Sequence, residues 1–486
     1  MTTVRAVFGA VDIGASGGRV MAGIVEGSDH AAHRVRLEVV HRFGNRVSER
    51  DGSLFWDIRG LFDQVLTGLG KLAGSYPDVV SIGIDTWAVD YALLDADGEL
   101  VADPYAYRDD RTAAVIDSVH AAMPPEELYA ITGLQFLPFN TIYQLAAEKL
   151  GERWQRASAA LLLPDLLAYW LTGVQRSEAT NASTTGLFDA ARHDWSTLVL
   201  DRVGIPSTLF PPVSAAGSVT GSLLPGIVSR TGLSRSTLVT AVGSHDTASA
   251  VVAVPAEQPG FAYISSGTWS LVGVELEQPI LTEASREANF TNEGGVDNRI
   301  RYLRNAGGLW LLTESIREWE SDGPPVDLAD LLTAAEQVRP GGPLVDVDAE
   351  EFIAPGRMPQ RIAAACERSG QPVPQTRAEL VRCVLDSLAH AYADIVQQAG
   401  RLSGREIDVV HVVGGGSQNA LLCQLTADRC GLPVVAGPVE ATALGNVLVQ
   451  ARTHGAVAGT LEDLRELVVR SYDLTHYAPQ ESAVRS

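Results

Sequence analysis

Apolar and polar positions follow clear periods along much of this chain. Residues 4–13 form an apolar, partly β-branched run that breaks at Gly14-Ala15-Ser16-Gly17-Gly18, and residues 20–25 resume it. Two such runs about a short glycine-containing turn predict a β-hairpin. Across 56–73, Ile58, Leu61, Phe62, Val65, Leu66, Leu69 and Leu72 recur at i, i+3, i+4, i+7 spacing. That stripe predicts an amphipathic helix, with Asp57 as a cap near its start. Residues 79–84 and 91–94 read as buried strands, and Gly98 suits a tight turn between strands.

The opening pattern recurs in the second half. Residues 261–265 are apolar, break at Ser266-Gly267-Thr268, and resume at 269–274. Asp12 and Ile264 are 252 positions apart, close to half of the 486 residues, so a duplicated unit is expected at the head of each half. Residues 379–399 carry Leu380, Val384, Leu388, Tyr392 and Ile395 on one helical face. A buried strand follows at 409–413, then Gly414-Gly415-Gly416-Ser417-Gln418-Asn419 and a helix from about Ala420. The stretch 215–242 is rich in Gly, Ser and Thr and lacks a long helical stripe, so the boundary is expected near 230–245. Segments 321–325 and 340–343 read as surface loops. The expected architecture is two α/β domains, 1–240 and 241–486, with a cleft between them.

Composition narrows the partners. Hydrophobic residues make 46% of the chain and charged residues 20%, an ordinary globular balance. A formal net charge of -22 makes duplex nucleic acid and anionic membrane poor partners, since both need a cationic face. The opening MTTVRAVFGAVDIGASGGRV lacks the uninterrupted apolar core of a secretory leader, and no run of apolar residues is long enough to span a bilayer. The four cysteines, Cys366, Cys383, Cys423 and Cys430, form no CxxC pair. The expectation is a cytoplasmic protein with a small-molecule ligand and no obligate protein partner.

Five segments carry candidate chemistry. In Asp12-Ile13-Gly14-Ala15-Ser16-Gly17-Gly18-Arg19, small residues let backbone N–H groups converge on an anion, Arg19 adds a cation, and Asp12 suits a hydrated divalent ion. The same residues equally make a structural turn with a surface arginine. Ser265-Ser266-Gly267-Thr268 offers a second such turn, and Gly414–Asn419 lets backbone approach a planar ligand. Both are also ordinary connections. In Gly243-Ser244-His245-Asp246-Thr247, Asp246 is placed to accept a proton from an alcohol that attacks phosphorus. His245 and Thr247 would orient a polyol. A helix cap is the plainer reading, and a metal site would need further His and Asp ligands. Gly83-Ile84-Asp85-Thr86-Trp87-Ala88-Val89-Asp90-Tyr91 sets carboxylates and aromatics at a bend, either for sugar stacking or as a hairpin with a packed Trp. Tyr107-Arg108-Asp109-Asp110-Arg111-Thr112 reads as a charged turn, possible as a solvated salt-bridge cluster.

Taken in order, DIGASGGR, GIDTWAVDY, YRDDRT, GSHDTASAV, YISSGTWSLVG, NFTNEGG, GLWLL, VVGGGSQN and GPVEATALGN resemble the FGGY carbohydrate kinases, from residue 12 to residue 446. The resemblance implies two ribonuclease-H-like domains of the actin/hexokinase type, ATP, Mg2+, and γ-phosphoryl transfer to a ketose. The 1-hydroxyl of L-rhamnulose is the first expectation, with L-fuculose, xylulose or ribulose as alternatives and a non-catalytic nucleotide-gated sugar sensor as the other class. By motif match, Ala15, Ser16, Gly17, Gly18 and Arg19 fall on the first phosphate loop, Thr268 on the second and Gly415 on the adenosine loop. Asn305 and Thr313 fall in the segment that lines the cleft, with Asn305 near the nucleotide or the sugar. Ala88, His245, Asp246 and Thr247 fall on sugar contacts, with Asp246 as proton acceptor and Asp12 near the metal through water. Ala88 stands where the family usually has Gly, and Thr313 where an amide is common. Some relatives carry paired cysteines near Cys366 and Cys383. Sugar specificity is expected from Trp87, Ala88 and the loop 136–140.

Overall fold

The computed structural model describes residues 4–27, 33–321 and 323–480. The chain divides into two compact units. The first is built from residues 1–253, 275–302 and 441–471, the second from 254–274, 303–440 and 472–486. The expected boundary at 240/241 falls within the first segment of the first unit. Asp246 and its neighbours stay with the first unit because they are pinned there: Thr86 N–H donates to Ser244 O at 2.9 Å, and Ser244 N–H to Glu178 Oε2 at 3.0 Å.

The first unit is organised on a six-stranded sheet. Its strands are β1 (Val4–Ile13), β2 (Gly17–Gly27), β3 (Arg34–Gly44), β4 (Val79–Thr86), β5 (Val219–Ser222) and β6 (Leu238–Thr240), in the order β5-β6-β4-β1-β2-β3. The expected hairpin is β1–β2, antiparallel, with Asp12 opposite Arg19 and Ile13 opposite Gly18. Its turn is closed by Gly14 N–H to Gly17 O at 2.9 Å, and Asn45 braces it through Ser16 O and Gly14 O. β4 lies parallel to β1, with Asp85 beside Asp12. The helix Ile58–Ser75 follows the expected stripe, and Asp57 caps it by accepting from Gly60 N–H at 2.9 Å. Gly98 makes its tight turn at φ +79°, but the strand Tyr91–Leu94 takes Ala159–Leu162 as its partner.

The second unit repeats the opening motif. β7 (Phe261–Ser266) and β8 (Trp269–Leu276) form an antiparallel hairpin, and β9 (Val409–Val413) lies parallel to β7. Hairpin plus parallel third strand is thus the topology of β2-β1-β4 and of β8-β7-β9 alike, the physical form of the duplication. The helix Arg377–Ser403 begins with a capping box between Thr376 and Glu379, two residues before the expected start. The expected loop at 321–325 contains residue 322, which lies outside the described residues, and Ser321 closes a helix that starts at Trp310. Cys366 and Cys383 are buried neighbours in this unit with free thiols, and burial raises the pKa of both. Among the described residues no helix is long and apolar enough to cross a membrane.

One late segment does more for the first unit than its sequence suggests. The helix Ala441–Thr453 is almost wholly buried and packs on the helix Asp246–Val252 and on β1 and β4. Close approach needs glycine. A Cβ at Gly445 would run into Ser249 O, and one at Gly83 would meet Asn446 Oδ1, Val242 Cγ1 at 2.7 Å and Gln450 Nε2 at 2.8 Å. Gly83→Ala is therefore expected to destabilise the protein by about 1–3 kcal/mol through overpacking. Gly74→Ala, on an exposed helix position with open space, should leave stability unchanged or raise it by about 0.4–1 kcal/mol. Urea unfolding midpoints of the two variants check this.

Candidate active site

The reactive groups of the first unit are carboxylates set on neighbouring elements. Asp12 ends β1 and is held by Arg19 across the hairpin, Nε at 2.9 Å and Nη2 at 2.8 Å. Arg19, expected on phosphate, thus commits part of its guanidinium to Asp12. Asp85 is fully buried beside it on β4. Its Oδ2 accepts from Asn446 Nδ2 at 2.6 Å, while its Oδ1 is buried with no hydrogen-bond partner among the described residues. Gln450 completes the brace by donating to Asn446 Oδ1 at 2.6 Å and to Gly9 O at 3.0 Å. Burial first, then the charge on Asp12, pushes the Asp85 pKa well above the ordinary carboxylate value.

Asp246 opens the helix Asp246–Val252, where the positive end of the backbone dipole favours an anion. Its side chain is 31% exposed. Thr247 Oγ1 donates to its Oδ1 at 3.0 Å, and His245 Nε2 lies 3.4 Å from the same oxygen. Burial raises the Asp246 pKa, His245 lowers it and Asp12 raises it, with a net upward shift. That makes Asp246 a stronger base than an ordinary aspartate.

Three side chains outside the expected set hold this segment. Glu178 Oε2 accepts from Ser244 N–H at 3.0 Å, Ser244 Oγ at 2.8 Å and Thr180 N–H at 3.0 Å. His245 Nδ1 faces Arg301 Nη2 at 3.0 Å and Glu293 Oε2 at 3.2 Å, and Arg301 pairs with Glu293 at 3.1 Å. Burial works to raise the Glu293 pKa, but Arg301 and His245 outweigh it and hold the group below its ordinary value. Glu293 lies in the NFTNEGG motif and Asn446 in GPVEATALGN, which is the only signal the sequence carried for either.

At the bend after β4, the packed-Trp alternative describes Trp87. Its ring lies 4.4 Å from that of Trp56, and its Nε1 donates to Asp90 Oδ2 at 2.9 Å. Trp56 Nε1, Tyr107 N–H and Gln144 Nε2 also donate to Asp90. Burial lifts the Asp90 pKa to about 6 against those four donors. Val89 is held at φ +64°, a strained value for a β-branched residue. Ala88 stays half-buried beside it. The YRDDRT segment is not a solvated cluster at Asp109 and Arg111: Asp109 accepts from Leu54 N–H at 2.8 Å, and Arg111 donates to Gln144 and Glu148. The 136–140 loop divides. Phe139 packs on Tyr107 at 5.3 Å, whereas Phe136 points into a separate cavity.

The remaining expected residues sit in the second unit. Thr268 is in the β7–β8 turn, whose carbonyls accept from Leu309 N–H (at Gly267 O, 3.1 Å) and Trp310 N–H (at Thr268 O, 3.2 Å). Thr313 is exposed on the helix Trp310–Ser321, and Asn305 is half-buried on the strand Ile300–Gly307. Gly414–Gly416 adjoins the same hairpin: a Cβ at Gly416 would collide with Ser266 Oγ, and Gly414 N–H donates to Pro438 O at 3.1 Å. Gly415 has open space around it. Within the 414–416 turn only the middle glycine is clear, while Gly414 and Gly416 lie against Ser266.

Two family models match this chain: the N-terminal domain of the FGGY family of carbohydrate kinases over residues 7–253 and its C-terminal domain over 262–454. The chain belongs to that family. A rhamnulokinase of Bacteroides thetaiotaomicron is 41% identical, covering 98% of this chain and 96% of its own. A rhamnulokinase of Pectobacterium carotovorum is 43% identical, covering 97% and 92%. The fold is similar to the xylulose kinase from Rhodospirillum rubrum, TM-score 0.77 at 18% identity over 99% of this chain and 95% of that one. It is also similar to Plasmodium falciparum glycerol kinase with ADP, TM-score 0.76 at 15% identity over 98% and 95%. This FGGY kinase has the actin/hexokinase-like α/β architecture expected from its motifs.

Because Gly415 is exposed and unobstructed, Gly415→Val should leave the unfolding midpoint within error. If its backbone approaches the nucleotide, the same variant raises KM for ATP at least about tenfold, a loss of roughly 1.4 kcal/mol. Steady-state kinetics with ATP varied, beside a melting curve, checks both halves.

Proposed function

We propose that this FGGY kinase transfers the γ-phosphoryl group of ATP to the 1-hydroxyl of L-rhamnulose, giving L-rhamnulose 1-phosphate and ADP in the cytoplasm. The observation that carries the chemistry is Asp246: a part-exposed carboxylate at a helix start, made more basic by burial and by Asp12. The substrate reading rests on the two rhamnulokinases that match nearly the whole chain.

In this reading Asp246 takes the proton of the 1-hydroxyl as its oxygen bonds to the γ-phosphorus and the β–γ bridging bond breaks. His245 and Thr247 set the orientation of Asp246 and offer hydrogen bonds to the ketose. Glu293 and Arg301 fix the His245 ring from behind. Ala88 faces the sugar, with its methyl group narrowing the pocket relative to glycine. Ala15, Ser16, Gly17, Gly18 and Arg19 supply one phosphate contact, and Thr268, Asn305, Thr313 and Gly415 hold nucleotide.

The donor set suits Mg2+ held by nucleotide and water. Asp85 Oδ1 is a buried oxygen without a partner beside Asp12, and hard oxygens are the ligands Mg2+ takes. Among the described residues no group of three His, Cys, Asp or Glu side chains is placed to hold a metal by itself. Mg2+ supplies neutralisation of charge developing on the transferred group.

Asp246→Asn should keep ATP binding and lower kcat by about 10²–10⁴, the range for a lost general base. Near-normal turnover in the folded variant contradicts the assignment. A panel of L-rhamnulose, L-fuculose, xylulose and ribulose, reported as kcat/KM, decides the substrate. No sugar-stimulated ADP with any member would favour a sensor.

A further inference from the structure

The bend after β4 is strained, and its restraints converge on one buried carboxylate. Asp90 N–H donates to Ala88 O at 2.9 Å, which closes a three-residue turn around Val89. With Val89 at φ +64°, the turn has the rare hand, disfavoured for a β-branched residue. Such a backbone persists only where its surroundings over-determine it. Trp87 O accepts from Thr86 Oγ1 at 2.7 Å, and Val89 O from Thr141 Oγ1 at 2.6 Å. Asp90, 1% exposed, ties the bend to three further parts of the chain. Its Oδ2 accepts from Trp56 Nε1 at 2.6 Å, Trp87 Nε1 at 2.9 Å and Tyr107 N–H at 3.2 Å. Its Oδ1 accepts from Gln144 Nε2 at 3.0 Å.

Gln144 carries the restraint to the 136–140 loop, since its Nε2 also donates to Phe139 O at 2.9 Å. Its Oε1 accepts from Arg111 Nη2 at 3.0 Å, so a reversed amide would turn its NH2 on a guanidinium. The NH2 side is thereby fixed towards Asp90, and the group at 90 must accept on both oxygens. An ionised carboxylate does so. A neutral acid or an asparagine would set donor against donor, at Gln144 or at the three N–H groups on Oδ2. All four direct partners of Asp90 are neutral. The titratable side chains around it are Tyr91, Tyr107, whose hydroxyl takes Arg108 Nε, and, one amide away, Arg111. Glu148 at 3.2 Å and Asp109 at 3.8 Å answer Arg111. Burial lifts the Asp90 pKa to about 6.

We infer that Asp90 is a positioning residue of the sugar site: through Gln144 and the two indoles it holds the 87–90 bend and the 136–140 loop in one arrangement, and so sets the affinity for the ketose without touching it. The inference rests on the proposed placement of the sugar at Ala88. Loss of the four-donor contact releases the strained turn, and Ala88 moves with it. The phosphoryl step is spared, because Asp246 is held by other groups: Thr247, His245 and, through Ser244, Glu178.

Asp90→Asn tests this with whichever of the four ketoses wild type accepts. The ketose KM, and its Kd by calorimetry without nucleotide, should rise at least about tenfold, with kcat and KM for ATP within about twofold. In wild type the same Kd should rise as the pH is lowered through about 6, and Asp90→Asn should lose that step. Thr141→Val removes one bond to Val89 O with little change of shape, and decides the matter should Asp90→Asn fail to fold. It should raise the ketose KM about threefold, the scale of one neutral hydrogen bond. Unchanged ketose affinity in the variants overturns the inference, as does a KM for ATP that rises in step. So does a wild-type affinity that is flat across that pH range, or a step that Asp90→Asn retains. A wild type that accepts a ketose other than L-rhamnulose corrects the proposed substrate alone, and one that accepts none overturns both.

Discussion

Negative charge packed at the ends of adjacent strands is the constraint on which the first unit depends. Asp12 and Asp85 are register partners on β1 and β4, and Asp246 stands within their field. Like charges gathered out of water repel, and each also loses hydration. Every member therefore has an answering group: Arg19 for Asp12, Asn446 for Asp85, and His245 with Thr247 for Asp246. The answers differ in kind. A cation holds Asp12, whereas a neutral amide holds Asp85 and leaves one oxygen unanswered. Asp246 keeps both partial exposure and raised basicity, which is what a proton acceptor needs.

This arrangement accounts for the path of the chain. Asn446 and Gln450 arrive from the far end of the sequence on a helix that glycines admit against β4 and against the helix of Asp246. The strand Thr291–Gly294, which carries Glu293, and the strand Ile300–Gly307, which carries the buried Arg301, return likewise from the middle of the chain. The first unit is thus three sequence segments joined by their polar interior as well as by their apolar core. The His245–Glu293–Arg301 group extends the same logic, since a buried cation and a buried carboxylate compensate each other while fixing the ring between them.

The periodic parts of the fold were legible because one face of each is apolar. The β1–β2 and β7–β8 hairpins, the helix Ile58–Ser75 and the strand Val409–Val413 all follow their patterns, with ends shifted by a few residues. The interleaving of segments was not legible, since pairing across hundreds of residues leaves no local period. Glu178, Glu293 and Arg301 were missed for a different reason: a buried charge is written with the same letter as a solvated one, and only its partners reveal it. Trp87 illustrates the converse. An aromatic beside a candidate sugar bend turns inward because Asp90 needs its N–H. Phe136 and Phe139, three residues apart on one loop, face different surroundings, a separation that sequence spacing alone does not show.

The most direct measurement of this account is a carboxyl titration of Asp246 in the free protein by 13C NMR with labelled aspartate, its resonance assigned by difference from a variant that lacks it. The account predicts a midpoint above the ordinary 3.8 and a downward move when Asp12 becomes Asn, because Asp12 is one of the groups that raises it. A midpoint at or below 3.8 that ignores the change at Asp12 would contradict the electrostatic basis of the site.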